Sequence, residues 1–266
     1  LKISTIISVQ IFLQMKKVRV IARIDVKNEF AIKGIHLEGL RKVGDPNTMA
    51  LDYYNNEIDE IVFMDAVAAY YDRNSLSDLI QRACIGVFIP ITVGGGIRTI
   101  DDIKNALKSG ADKVAINTRA VQDPSFITQS SKIFGAQCIV SSIEAKAVEE
   151  GKWEVYTDNG REPTGKDVVE WAKSVEKLGA GEIMLTSIDQ EGTKRGFDIN
   201  LYQHVANNVS IPIIASGGMG KSGDAVELIK NANVDAIAIA STLHYRIESI
   251  QNIKRTLVEN KIKVRL

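Results

Sequence analysis

Cysteine is scarce in this chain of 266 residues: Cys84 and Cys138 stand far apart and neither belongs to a CxxC pair. At most one intramolecular disulfide is possible, which excludes a disulfide-stapled scaffold. The pair reads as two thiols in a reducing cytoplasm. Histidine is equally sparse. His36, His204 and His244 are scattered without ligand spacing, so neither a metal site nor a metal cofactor is expected. Net charge is also missing, because 33 Lys and Arg balance 33 Asp and Glu. A protein that coats nucleic acid or an anionic membrane is thereby excluded, while a local anion site is not. No apolar run is long enough to span a bilayer. The most apolar stretch, LKISTIISVQIFLQ (1–14), is short and broken by Gln10 and Gln14, and no small-x-small cleavage site comes after it. It reads as an N-terminal extension ahead of a start at Met15. No linker rich in Pro, Gly or Ser divides residues 15–266, so they are expected to form one domain.

What is present is alternation. Eight short runs rich in Ile, Val and Ala fall at 18–25, 60–65, 88–93, 113–117, 137–144, 182–188, 211–216 and 236–241. Near-continuous apolar runs suit parallel strands covered on both faces. Between them lie polar-faced windows with helix punctuation. Asp45-Pro46 is a cap residue followed by proline at the first helical position, and Gly110, Gly179 and Asn233 are stop signals. Eight strand–helix alternations predict a single (β/α)8 TIM barrel. The chain also echoes itself. VGGGIRTIDDIKNALKSGADKVAINT (93–118) resembles ASGGMGKSGDAVELIKNANVDAIAIAS (215–241), with Gly95-Gly96 matching Gly217-Gly218 at an offset of 122. A period near half the chain predicts two half-barrels.

Glycines directly after strands let backbone amides approach an anion at a helix N-terminus. Neither run is a dinucleotide fingerprint or a Walker A loop. The half-repeat predicts two phosphate cradles on opposite sides of the barrel mouth. One uses Gly96, Asn117 and Thr118; the other uses Gly218, Ala240 and Ser241, with Gly192 nearby. Two strand-end acids face each other across that mouth: Asp25 after the first strand and Glu144 after the fifth. Such a pair suits general acid–base work on a substrate held between two phosphates. Asp65 ends the second strand. Lys33 lies in the loop 28–45, which is long enough to serve as a lid. No GxSxG signals a hydrolase, and WEVYTDNG (153–160) reads as a small hairpin-like insertion whose aromatics pack it. At the opposite end, Arg19, Glu60, Lys113 and Glu182 sit at strand starts. Pointing inward, they would form a ring of alternating charge, either a stabilising plug or a gated opening.

The motifs DVKN with Lys33-Gly34, GDP (44–46), TVGGGIR, GADKVAINT, TGKDVVEWAKSVEKLGAGEIMLTSID, GTKRGFD and IPIIASGG together resemble the cyclase (synthase) subunit of imidazole glycerol phosphate synthase over residues 16–266. That resemblance implies a (β/α)8 lyase without cofactor in histidine biosynthesis, forming a heterodimer with a glutamine amidotransferase (glutaminase) subunit in the cytoplasm. Ammonia from the partner would enter at the bottom of the barrel. It would react at the top with a bisphosphorylated ribulosyl aminoimidazole carboxamide ribonucleotide, giving imidazole glycerol phosphate and an aminoimidazole carboxamide ribonucleotide. By this resemblance Asp25 and Glu144 are catalytic, and Lys33, Gly96, Asn117, Thr118, Glu191, Gly192, Gly218, Ala240 and Ser241 bind substrate. Arg19, Glu60, Lys113 and Glu182 form the ammonia gate. Two acids depart from the family pattern, since Glu144 and Glu191 stand where it has aspartate. With HLEGLRKVGDP and AAYYDRNSL, these departures also resemble divergent paralogues that deliver ammonia to aminate or amidinate a sugar precursor of surface polysaccharide.

Overall fold

In a computed structural model that describes residues 17–66 and 76–265, eight strands close into a parallel barrel. They are β1 (Arg19–Lys27), β4 (Glu60–Asp65), β5 (Ile91–Gly94), β6 (Lys113–Ile116), β7 (Ile139–Glu149), β10 (Glu182–Ser187), β11 (Ile213–Ser216) and β12 (Ala236–Ile239). Their order around the barrel is β1-β4-β5-β6-β7-β10-β11-β12, closed by the pairing of β12 with β1. Every neighbouring pair is parallel. Helices alternate with these strands from Pro46–Asn55 to Ile250–Glu259. The expected extension at 1–14, and most of AAYYDRNSL, lie outside the described residues.

Alternation along each strand separates two cores. Ile21, Val62, Ala115, Val140, Met184, Ile214, Ala236 and Ala238 fill the lumen. Val20, Ile24, Phe63, Ile103, Ile127, Leu201, Leu228 and Leu257 belong to the larger core between strands and helices. The first of these helices begins where expected: Asp45 accepts the Thr48 amide at 2.7 Å ahead of Pro46. The strands at Ile91 and Ile213 begin later than their apolar runs because Pro90 and Pro212 cannot donate to the ladder.

The half-repeat recurs as individual hydrogen bonds. Ile91 N–H donates to Asp112 Oδ2 at 2.8 Å, and Ile213 N–H donates to Asp235 Oδ2 at 2.9 Å. Asp102 accepts the amides of Arg98 and Thr99; Asp224 accepts those of Gly220 and Lys221. Asn117 and Ala240 open the helices Thr118–Gln122 and Ser241–His244 with nearly the same backbone, φ −121° and ψ −87° against φ −121° and ψ −81°.

The repeat extends to a feature the sequence concealed. The segment 28–45 is no loop. It forms β2 (Phe30–Ile35) and β3 (Glu38–Gly44), an antiparallel hairpin added to the upper end of β1. The counterpart β8 (Lys152–Thr157) and β9 (Glu162–Asp167) adds to β7, the strand opposite β1. Trp153 packs this second hairpin, buried and donating to Asp198 Oδ2 at 2.9 Å.

Candidate active site

Side chains at alternate positions of one strand point the same way, so Arg19, Ile21, Arg23 and Asp25 all enter the lumen from β1. At the bottom, Arg19 bonds Glu60 at 2.8 Å and also pairs with Glu182. Lys113 completes the ring, 2.9 Å from Glu182 and 3.3 Å from Glu60. Four strands thus contribute alternating charges that close the lower opening. Burial opposes the charge on Arg19, but Glu182 and Glu60 outweigh it and hold the guanidinium protonated. Directly above lies the apolar lumen layer.

At the upper end, Asp25 and Glu144 are both buried, on strands four steps apart in either direction around the barrel. They are diametrically opposed, yet their surroundings differ. Asp25 Oδ1 accepts Arg23 Nε at 2.8 Å, and Lys33 Nζ lies 3.4 Å from Oδ2. Burial would raise the Asp25 pKa, but Arg23 and Lys33 win and lower it below the ordinary value. Glu144 has no Lys or Arg nitrogen within 4 Å among the described residues. Its Oε2 accepts the Gly160 amide at 2.7 Å, from the turn between β8 and β9. Burial, resisted by the more distant Arg23, pushes its carboxyl up to about 7.

The first cradle is an open cavity of about 560 Å³. Gly96, Asn117 and Thr118 line it together with Glu144, Ser142 and Arg119. Within it Asn117 Oδ1 and Arg119 Nε are buried without hydrogen-bond partners. Asp158 also reaches this wall, donating its backbone N–H to Thr118 Oγ1 at 3.2 Å.

The second cradle is built from the expected Glu191, Gly192, Gly218, Ala240 and Ser241, but they enclose a cleft of only about 10 Å³. Gly218 has φ +107°, and a β-carbon there would lie 2.0 Å from the Gly196 carbonyl oxygen. Only glycine fits that approach. The β2–β3 hairpin packs beside this cleft, and a β-carbon at Gly192 would lie 2.3 Å from the Gly34 carbonyl oxygen. His36 N–H donates to the Glu191 carbonyl at 2.8 Å, and the His36 ring meets the Ile188 carbonyl at 3.0 Å.

Lys33 is therefore not a solvated lid lysine. It is buried in β2 and paired with Glu191 as well as Asp25. Glu191 and Asp25 raise its pKa against the opposing effect of burial. Glu191, expected to touch substrate, is itself buried against this ammonium.

Several residues of the site escape a reading of the sequence, among them Arg23, Gly160 and His244. Arg23 carries a visible signal, since it shares the inward parity of Arg19 and Asp25. His244 Nδ1 shares a 2.7 Å hydrogen bond with the Tyr53 hydroxyl. Burial, reinforced by Lys33, lowers its pKa to about 4 and keeps it neutral. Among the described residues no group of three or more His, Cys, Asp or Glu is placed to hold a metal ion, and no helix is long and apolar enough to cross a membrane.

Known proteins share this frame. Residues 19–248 match the family described as "Histidine biosynthesis protein". The chain is 59% identical over 207 residues to the imidazole glycerol phosphate synthase subunit HisF of Legionella pneumophila, covering 78% of this chain and 98% of that one. It is 46% identical over 249 residues to the HisF subunit of Lactococcus lactis subsp. cremoris (strain MG1363), with 93% and 96% covered. The HisF subunit of Bacillus cereus (strain G9842) is 46% identical over 248 residues, with 93% and 98% covered. These similarities lend no support to the surface-polysaccharide alternative. Identity at this level over nearly the whole barrel places the chain in the imidazole glycerol phosphate synthase subunit HisF family.

Proposed function

We propose that the chain is the cyclase subunit of imidazole glycerol phosphate synthase, taking ammonia from a glutaminase partner. The observation that carries this reading is the shared lumen. A closed ring of two cations and two carboxylates stands at its bottom, and two opposed carboxylates stand at its top. A structural plug alone would not need acid–base groups aligned on the same axis. Ammonia is small and uncharged as a nucleophile, so it can cross the apolar layer between the two ends, where ammonium would face the desolvation cost of a buried ion.

The bottom face also suits a partner. Ile85 and Phe88, in the turn before β5, are 80% and 76% exposed, with Leu51 beside them. Apolar side chains exposed around the opening would be covered on association.

At the top, the linear ribonucleotide has two phosphates, and two cradles stand on opposite sides of the mouth. One phosphate is bound in the open cavity by the amides near Gly96 and by Asn117 and Thr118. The other is bound at the Gly192–Gly218–Ser241 cleft. The reacting carbons then lie between Asp25 and Glu144. Asp25, an anion, stabilises positive charge that develops as ammonia adds. Glu144, whose pKa stands near neutrality, accepts and returns protons during ring closure.

The purified chain should form imidazole glycerol phosphate from the linear ribonucleotide and an ammonium salt. Bound substrate without turnover would overturn the reading. With the partner present, Lys113→Met should lower glutamine-driven turnover on the order of tenfold more than ammonium-driven turnover, a difference of about 1.4 kcal/mol. Equal losses in both assays would remove the gate from the proposal.

A further inference from the structure

Arg23 is a fully buried arginine in the barrel lumen, where an isolated guanidinium would be strongly disfavoured. Its partners come from three strands. Nε donates to Asp25 Oδ1 at 2.8 Å, two residues along β1. Nη1 donates to Thr186 Oγ1 on β10 at 3.0 Å and to Ser216 Oγ on β11 at 3.1 Å. A planar guanidinium held along two edges cannot rotate without breaking bonds to several strands, so the Asp25 carboxylate it grips is fixed in place as well.

Charge counting around the mouth extends this point. Arg23 and Lys33 are two buried cations. Asp25 and Glu191 are the two buried carboxylates that touch them. The group of four is neutral as it stands. Glu144, opposite Asp25, is also buried and has no cation in this balance. The donor that meets it is an uncharged amide, that of Gly160.

We infer that Arg23 is a positioning residue that locks Asp25 as a permanent anion, leaving Glu144 as the one of the opposed acids that is free to exchange protons. This rests on the cyclase reading for its catalytic meaning, though not for its measurement. The groups facing Asp25 are Arg23 on its own strand, Lys33 on β2 and His244 beyond β12. Those facing Glu144 are Arg23 and Asp25 from β1 and Asp158 from the β8–β9 turn. The directions of shift agree with the geometry: Asp25 is lowered and Glu144 is raised. The opposed acids stand at matching places in the two halves, and Arg23, with Lys33, makes them unequal.

The test needs no substrate. The protein is labelled with ¹³C at Asp and Glu side-chain carboxyls, and the carboxyl shifts are followed between about pH 4 and 8. Asp25→Asn and Glu144→Gln identify the two resonances. In the wild-type chain Glu144 should titrate with a midpoint near 7, and Asp25 should show no step above about pH 4. In Arg23→Met the Asp25 midpoint should rise by one unit or more, because Lys33 alone then opposes its burial. Arg23→Lys, which keeps the charge and loses the fork, should give an intermediate midpoint and serves if the methionine variant does not fold. An unmoved Asp25 midpoint in a folded Arg23 variant overturns the inference. So does an Asp25 step near neutral pH in the wild-type chain, which requires no variant to fold. A merely structural arginine would lower stability without moving either resonance. Failure of the cyclase reading would appear separately, as absent turnover with normal titration.

Discussion

Glu144→Gln should lower ammonium-driven turnover by about 10² to 10⁴-fold, the usual worth of a positioned general acid or base. Binding of the linear ribonucleotide should change little, because the phosphate cradles are untouched. The amide keeps the shape of the carboxyl and still accepts from the Gly160 N–H, so the loss would report proton transfer rather than packing. The pH dependence gives a second check. Burial raises the Glu144 pKa from 4.5 to about 7. The folded chain therefore binds this proton more tightly than the unfolded chain does. Its contribution to stability is fully present below the unfolded value near 4.5, and is lost as pH rises toward 7. Asp25 has the opposite sign: its lowered pKa contributes stability above the ordinary aspartate value, and that is lost only in acid. Between pH 4.5 and 7 the melting temperature of the wild-type chain should fall relative to Glu144→Gln. The turnover profile should lose its break near neutral pH in the variant. Full activity in Glu144→Gln, or an unchanged break, would remove the proton-transfer role from this residue.

Lys254→Met should destabilise the fold by about 3 to 5 kcal/mol, the cost of leaving a buried charge without its partner. At roughly 2 to 4 °C per kcal/mol for a chain of this size, the melting temperature should drop on the order of 10 °C. Lys254 lies on the last helix and is 4% exposed; Asp59, just ahead of β4, is 3% exposed. The ammonium binds Asp59 Oδ1 at 2.8 Å and the Glu57 carbonyl at 2.6 Å, while Asp59 Oδ2 accepts the Val20 amide at 2.7 Å. This pair ties the end of the chain to the first two barrel strands, away from the mouth. Urea and thermal unfolding measure the effect, and Asp59→Asn added to Lys254→Met should recover much of it by removing the stranded charge. A loss below about 1 kcal/mol, the range of exposed ion pairs, would mean that water reaches the site.

Much of the barrel is legible in the sequence because its signals are local. Apolar runs, caps and glycine turns sit next to each other along the chain, and the offset between the two GG turns puts Asp25 and Glu144 on opposite strands. The β2–β3 hairpin is not legible. Its residues are partly exposed, it packs on one extended strand, and FAIKGIHLEGLRKVG has the polarity of a loop. Lys33 consequently reads as a lid residue, although it lies buried between Asp25 and Glu191. Arg23 escapes notice because an arginine in an apolar run reads as an interruption until the opposite strands show what accepts its protons.

By itself the sequence determined the eightfold alternation, the two similar halves, the positions of the glycine turns and the charges at both ends of the barrel. Each comes from residue type and spacing along one strand or turn. Tertiary structure alone decided how the halves differ. Closure of the sheet brings Thr186 and Ser216 to Arg23, and the hairpin brings Lys33 to Glu191. One acid is thereby surrounded by cations while its opposite number is not. Proton affinity depends on charges and burial within a few ångströms in space, and the groups that hold Arg23 and Lys33 against Asp25 come from more than a hundred residues away.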